Sequence, residues 1–184
     1  MKSAAAAPMM CARAAVYSAM YRAGIRWSDR VGVYGLGGLG HMAVQFAAKM
    51  GCMVIVYSHS ATKKSEAYHQ PPRAIDCLLL TGAQQPDWSR MIPIVRRGGT
   101  ISAMTVDPTE LCLPYMDLVM TAVQIQGSLP ATPRLHREML GFAAQYGIAP
   151  IIETFSFDWS TYPGAPVSMR RSQCCTSSAS ARAL

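Results

Sequence analysis

The chain has six cysteines in 184 residues, yet no two of them stand in a CxxC pair. That absence excludes the closely spaced thiols of a four-cysteine zinc site, and the scatter of Cys11, Cys52, Cys77, Cys112, Cys174 and Cys175 outlines no disulfide framework. Free thiols suit a reducing compartment, so a cytoplasmic location is expected. Long apolar runs are also missing. None approaches the roughly 18 to 20 residues that span a bilayer, and no membrane partner is expected. The alanine-rich start, MKSAAAAPMMCARAAVYSAMYRAG, lacks the hydrophobic block and polar cleavage region of a signal peptide, and it is not the Arg- and Ser-rich amphipathic segment of a mitochondrial presequence. The formal charge is +7, but no basic run is interleaved with aromatics. Arg170, Arg171 and Arg182 lie beyond Asp158 in a stretch without acid. The remaining excess is that of a solvated surface or of a preference for an anionic cofactor, and no nucleic-acid partner is expected.

With 51% hydrophobic and 15% charged residues, the length suits one domain with a full core. Strand and helix patterns alternate. Strands are expected at 31–35, 53–58, 75–81, 100–105 and 123–127, and helices in the opening segment up to Gly24, at about 38–50, around 61–69 and at about 133–146. The last helix has Thr132 as N-cap, Pro133 at its first position and Gly147 as terminator, with Leu135, Met139, Phe142, Ala143 and Tyr146 on one face. This alternation predicts an α/β fold with an open, mostly parallel sheet covered by helices on both faces. The sixteen residues 59–74, stopped by Pro71-Pro72, leave room for one crossover but not for an additional strand. From Trp159 the chain loses periodicity and reads as an irregular tail. Met9, Met10, Met20, Met50 and Met53 read as core filling.

One stretch carries chemistry, RVGVYGLGGLGHMAVQFAAKMG at residues 30–51. Its glycines Gly35, Gly37 and Gly40, with Gly38 and Leu39 between them, either cradle a nucleotide phosphate or simply make a tight strand-to-helix turn. A GxGxxG between strand and helix is the context of a dinucleotide site. There Gly35 makes the turn, Gly37 admits the pyrophosphate and Gly40 lets the helix pack against the strand, with helix amides facing the phosphates. A free 2′-hydroxyl is held by an acid about twenty residues on, and no acid occurs between Val31 and Ala61. Ser58, His59, Ser60, Lys63 and Lys64 supply donors instead, which points to NADP; the alternative is a plain solvated loop. His41 has no evident partner for catalysis.

The segments APMMCARAAVYSAM, SDRVGVYGLGGLGHMAVQFAAKMG, RRGGTISAMTV, LPYMDLVM and QIQGSLPATPRLHREMLGFAAQYGIAPIIE together resemble the zinc-dependent medium-chain alcohol dehydrogenases, in their NADP-dependent, cinnamyl-alcohol-dehydrogenase-like branch, over roughly residues 7 to 155. The resemblance implies a Rossmann-type cofactor domain and hydride transfer between NADPH and an aryl or allylic aldehyde or alcohol. It implies that the glycine turn, Ser58, Ser60 and Lys63 bind NADP. Thr81, Thr105, Val106, Gly127 and Ser128 would lie near the nicotinamide. It implies Cys11 as one ligand of a catalytic zinc, and a homodimer through the sheet edge at 123–127.

The departures from the family pattern carry expectations of their own. Its amino-terminal catalytic domain, with the other zinc ligands, has no counterpart in these residues, and Arg13 and Ala15 replace a small residue and a nicotinamide-facing threonine. The third strand of the family sheet is missing around EAYHQPPRA. The expected layout is a linker segment at 1–30 carrying Cys11, an NADP-binding domain at 31–155 and an irregular tail at 156–184, as in a truncated product. The sheet order should be 53–58, 31–35, 75–81, 100–105, 123–127, with 53–58 as an edge prone to association. Three functions follow as alternatives: a dehydrogenase that needs a catalytic domain from elsewhere, a non-catalytic dinucleotide-binding or interaction module, and a non-functional product.

Overall fold

The computed structural model describes residues 10–57, 74–128 and 131–151. Helix α1 (Ala12–Arg22) ends at Gly24, whose φ of +64° reverses the chain. Strand β1 (Arg30–Tyr34) runs into the glycine turn, helix α2 (Gly40–Lys49) follows, and Gly51 at φ +88° turns the chain into β2 (Met53–Tyr57). Strand β3 (Ile75–Leu80) leads to the short helix α3 (Trp88–Met91) and a 3-10 turn at Ile92–Ile94. Strand β4 (Val95–Ala103), helix α4 (Tyr115–Thr121), strand β5 (Gln124–Gly127) and helix α5 (Pro133–Gln145) complete the described elements.

All five strands are parallel, in the order β2-β1-β3-β4-β5. The fold is a Rossmann-type sheet, and the expected strand order is the observed one. The two-residue period sorts side chains between two cores. Val31, Val33, Cys77 and Leu79 face α1, α2 and α5, whereas Tyr34, Leu78, Leu80 and Ile101 face Trp88 and Ile92. One ring from each of three helices joins the first core: Tyr17 lies 5.7 Å from Phe46 and 6.2 Å from Phe142, and Phe46 lies 6.0 Å from Phe142, centroid to centroid.

Several local expectations need correction. Strand β4 begins at Val95 rather than 100, because Val95 pairs with Ile75 before an irregularity at Gly98, φ +69°, restores the register at Cys77 and Thr100. Consecutive glycines in RRGG had masked that start. Helix α5 is capped as expected: Thr132 Oγ1 accepts from the Leu135 amide, Pro133 opens the helix and Gly147 takes φ +63°. Its core face carries Leu135, Met139 and Ala143 with Phe142 packed beside them, while Tyr146 is exposed, its ring 4.5 Å from that of Phe142. Met20 is core, but Met10 and Met53 are exposed. Helices α3 and α4 were not anticipated. The helix around 61–69 and the tail lie outside the described residues.

Arg13 is fully buried between α1 and α2. Its Nε donates to Met42 Sδ at 3.3 Å and one amino group to the Ile148 carbonyl at 3.4 Å; the other amino group finds no partner. Burial lowers its pKa, because desolvation penalises the charged form. A buried cation without a carboxylate is a net cost to folding. Arg13→Met, of similar length and next to Met42, is therefore expected to raise stability by about 1 to 3 kcal/mol. Urea unfolding checks this; a lower midpoint would show that the guanidinium contacts outweigh its desolvation.

Candidate functional site

The three glycines of the turn have different reasons to be glycine. Gly35 has φ +93°, and a Cβ there would stand 2.7 Å from the Gly82 Cα. A Cβ on Gly40 would collide with the Gly35 carbonyl oxygen and crowd Thr81 Oγ1. Both are demanded by the fold itself. Gly37 is not: a Cβ on it would meet nothing within 4 Å. The turn thus leaves open space where the fold alone would accept a side chain.

Beside that opening stands the start of α2, where Leu39 is the N-cap. No side chain caps it and no acid occupies its first turn, and although the His41 amide donates to the Gly37 carbonyl at 3.0 Å, the positive end of the helix favours an anion there. His41 Nδ1 lies 3.0 Å from the Gly37 carbonyl, to which it donates, and Nε2 is buried without a partner. The imidazole therefore braces the turn from within the helix.

The neighbouring loops are tied to the turn. The Thr81 amide donates to the Tyr34 carbonyl at 2.9 Å, and its hydroxyl lies 2.7 Å from the Gly35 carbonyl and 3.0 Å from that of Tyr34. Thr81 is 6% exposed, so its hydroxyl serves as a strap between β1 and β3. Thr105 donates to the Gly82 carbonyl at 2.8 Å, while Val106 is 97% exposed. The Ser128 amide donates to the Ala103 carbonyl at 3.0 Å, but its hydroxyl is buried without a partner. A Cβ on Gly127 would meet nothing within 4 Å. All of these positions lie at or just beyond the carboxyl ends of β1, β3, β4 and β5. The chain leaves β1 in opposite directions to β2 and β3, which makes the crevice there a topological switch point.

Gln85 was not singled out from the sequence. Its Nε2 donates to Thr109 Oγ1 at 2.9 Å, its Oε1 accepts from Trp88 Nε1 at 3.2 Å, and its amide donates to Asp107 at 3.2 Å. Hydrogen bonds from the Thr109 hydroxyl and amide hold the Asp107 carboxyl below its usual range. These bonds fix the two loops that follow β3 and β4. A glutamine in a loop has no periodic signature, so nothing in the sequence pointed to it.

Ser58, Ser60 and Lys63 lie outside the described residues. Cys11 is exposed at the start of α1, and among the described residues no three His, Cys, Asp or Glu side chains come together. Catalytic zinc needs three protein ligands and an open position. The described residues do not fit that shell.

The fold and the cradle define a Rossmann-type dinucleotide-binding domain. No family model matches the chain. An aldehyde reductase of Synechocystis sp. is 32% identical over 171 residues, covering 84% of this chain and 51% of the relative. Cinnamyl alcohol dehydrogenase from Sorghum bicolor superposes with a TM-score of 0.76 at 27% identity, covering 86% of this chain and 50% of its own. The CAD of Helicobacter pylori, solved in complex with NADP(H), gives a TM-score of 0.71 at 26% identity, with 81% and 47% covered. Its homologues are alcohol dehydrogenases and cinnamyl alcohol dehydrogenases, and the chain spans about half the length of the curated relatives it matches. Among the described residues no helix is long and apolar enough to cross a membrane.

The glycine geometry separates two substitutions that look alike in sequence. Gly40→Ala forces backbone apart and is expected to cost about 3 kcal/mol or more, whereas Gly37→Ala should stay within about 0.5 kcal/mol of the parent. Chemical denaturation of both variants checks this. The cysteines divide just as sharply, since burial pushes the Cys52 and Cys77 thiols up to about 11 and about 12. In native protein a thiol reagent should label Cys11 and Cys112 quickly, and Cys52 and Cys77 only after denaturation. Peptide mapping of the labelled sites reads the result.

Proposed function

We propose that the chain binds NADP(H) across the crevice between β1 and β3 and provides the cofactor side of an alcohol dehydrogenase. The observation that carries this reading is Gly37, a glycine whose missing side chain opens space that no part of the described fold uses. Gly35, Gly38, Leu39 and Gly40 shape the turn around the pyrophosphate, and the uncapped amides of α2 supply its donors. Thr81, Thr105, Val106, Gly127 and the orphan hydroxyl of Ser128 border the nicotinamide end. Ser58, Ser60 and Lys63 read the 2′-phosphate. Bound nicotinamide supplies hydride exchange with an aryl or allylic aldehyde or alcohol. The NADP(H) complex of the Helicobacter relative supports the choice of cofactor.

Cys11 alone does not make a zinc site, so no step of the reaction passes through a metal here. The chain by itself is expected to bind cofactor without turning over an alcohol. Exposed Cys11 favours a second reading, a non-catalytic dinucleotide-binding module, and cofactor binding without zinc is common to both. The layout of 1–30, 31–155 and 156–184 and a cytoplasmic location belong to the same proposal.

Each charge-assisted hydrogen bond to the 2′-phosphate contributes about 1.5 to 3 kcal/mol, so one or two of them favour NADPH over NADH by about tenfold to a few thousandfold. Fluorescence titration should show that preference. Lys63→Ala should weaken NADPH and leave NADH almost unchanged, while Gly37→Val should weaken both. Equal affinity for the two cofactors would refute the phosphate-reading role, and failure of both to bind at millimolar concentration would reduce the glycine turn to a structural feature.

A further inference from the structure

Strand β2 reads Met53-Val54-Ile55-Val56-Tyr57, apolar at every position. Such a run is the pattern of a central parallel strand, buried on both faces and paired on both edges. Here it lies at the outside of the sheet, paired only with β1 among the described residues, and leaves Met53 57% and Val56 36% exposed. The usual protections of an edge are missing from these five residues. There is no charge, no proline and no glycine, and the register with β1 runs without a bulge from Arg30–Met53 to Tyr34–Tyr57.

The hydrogen bonds show which backbone groups face outward. Met53 N–H donates to the Asp29 carbonyl at 3.0 Å, and the Tyr57 carbonyl accepts from Gly35 N–H at 2.8 Å. Residues of one parity in a parallel strand turn both polar groups to the same side, so Met53, Ile55 and Tyr57 face β1. Val54 and Val56 turn their N–H and C=O groups away from it.

We infer that β2 pairs antiparallel with β2 of a second copy of this chain about a two-fold axis at Ile55, extending the two sheets into one. In that register Val54 of each copy opposes Val56 of the other, and each such pair exchanges two bonds, about four in all. Ile55 meets Ile55 at the axis, and Met53 meets Tyr57. The strand is self-complementary there, since no like charges are brought together and all the outward groups find partners. Five residues bury less than the roughly 1,200 Å² of a standard interface, so the dimer should be concentration-dependent in the micromolar range. This inference is independent of cofactor binding.

Sedimentation equilibrium of the full chain over about a hundredfold range of micromolar concentrations tests it. The expected result is a monomer–dimer equilibrium. Val54→Pro and Val56→Pro each remove an outward N–H while sparing the bonds to β1, and should move the midpoint about tenfold or more to higher concentration. Val56→Lys should act in the same direction, because the exposed side chains at 56 of the two copies stand diagonally across the axis on one face and would bring like charges together, and it carries the test if circular dichroism shows that a proline variant does not fold. Ile125→Pro, on the opposite edge, should leave the midpoint unchanged. The inference fails if the chain stays monomeric throughout. It fails also if the dimer survives Val56→Pro and Val56→Lys in folded protein, or is lost only with Ile125→Pro.

Discussion

The close approach of Gly35, Gly40 and the Thr81–Gly82 segment is the constraint on which the carboxyl edge of the sheet depends. Side chains at either glycine would push backbone against backbone. With them absent, the Thr81 hydroxyl reaches the carbonyls that end β1 and holds the start of α2 over the gap between β1 and β3. Position and electrostatics then come together: uncapped amides, a positive helix end and an unfilled space at Gly37 meet where the strand order reverses.

The two ends of the sheet use polar groups differently. At the amino end, Asp76 accepts from the Arg30 amide at 2.8 Å and pairs with Arg96 at 2.5 Å. Beside them a small cavity is lined by Arg26, Asp29, Asp76 and Arg96, and the Asp29 carboxylate accepts from the Arg26 amide at 2.7 Å. These carboxylates are committed to holding the strand starts. At the carboxyl end, polar groups such as Ser128 Oγ and His41 Nε2 are buried without partners. Arg13 is a third case. It occupies an apolar interface between helices, where its guanidinium donates to Met42 Sδ and the Ile148 carbonyl.

Much of this was legible in the sequence because the relevant signals are local or periodic. Alternation indicated a parallel sheet, the strand order followed the Rossmann order with its third strand removed, for which the short 59–74 connection leaves no room, and the caps of α5 followed from Thr132, Pro133 and Gly147. Strand ends were each read about one residue too long at Gly35 and Thr81, since a φ of +93° and a side-chain strap are tertiary facts. The early start of β4 was hidden by Gly98-Gly99, whose irregularity makes sense only against β3. Helix α4 was hidden for another reason: none of its residues is buried, so packing imposes no periodicity on it. In the site, the glycines were readable by spacing, but which of the three the fold itself requires was not. Gln85 and the burial of Arg13 depend on contacts distant in sequence, and no single-sequence pattern encodes them.

The central claim is that Gly37 and the start of α2 form a cradle for a dinucleotide and are not merely a tight turn. Backbone amide chemical shifts and hydrogen exchange, measured with and without saturating NADPH, test it most directly. The account predicts shifts and slowed exchange at Gly37, Gly38, Leu39 and Gly40 and at Ser128, with the amino-end residues around Asp76 unaffected. No perturbation at the glycine turn, or perturbation centred on the Asp29–Asp76–Arg96 end, would contradict it.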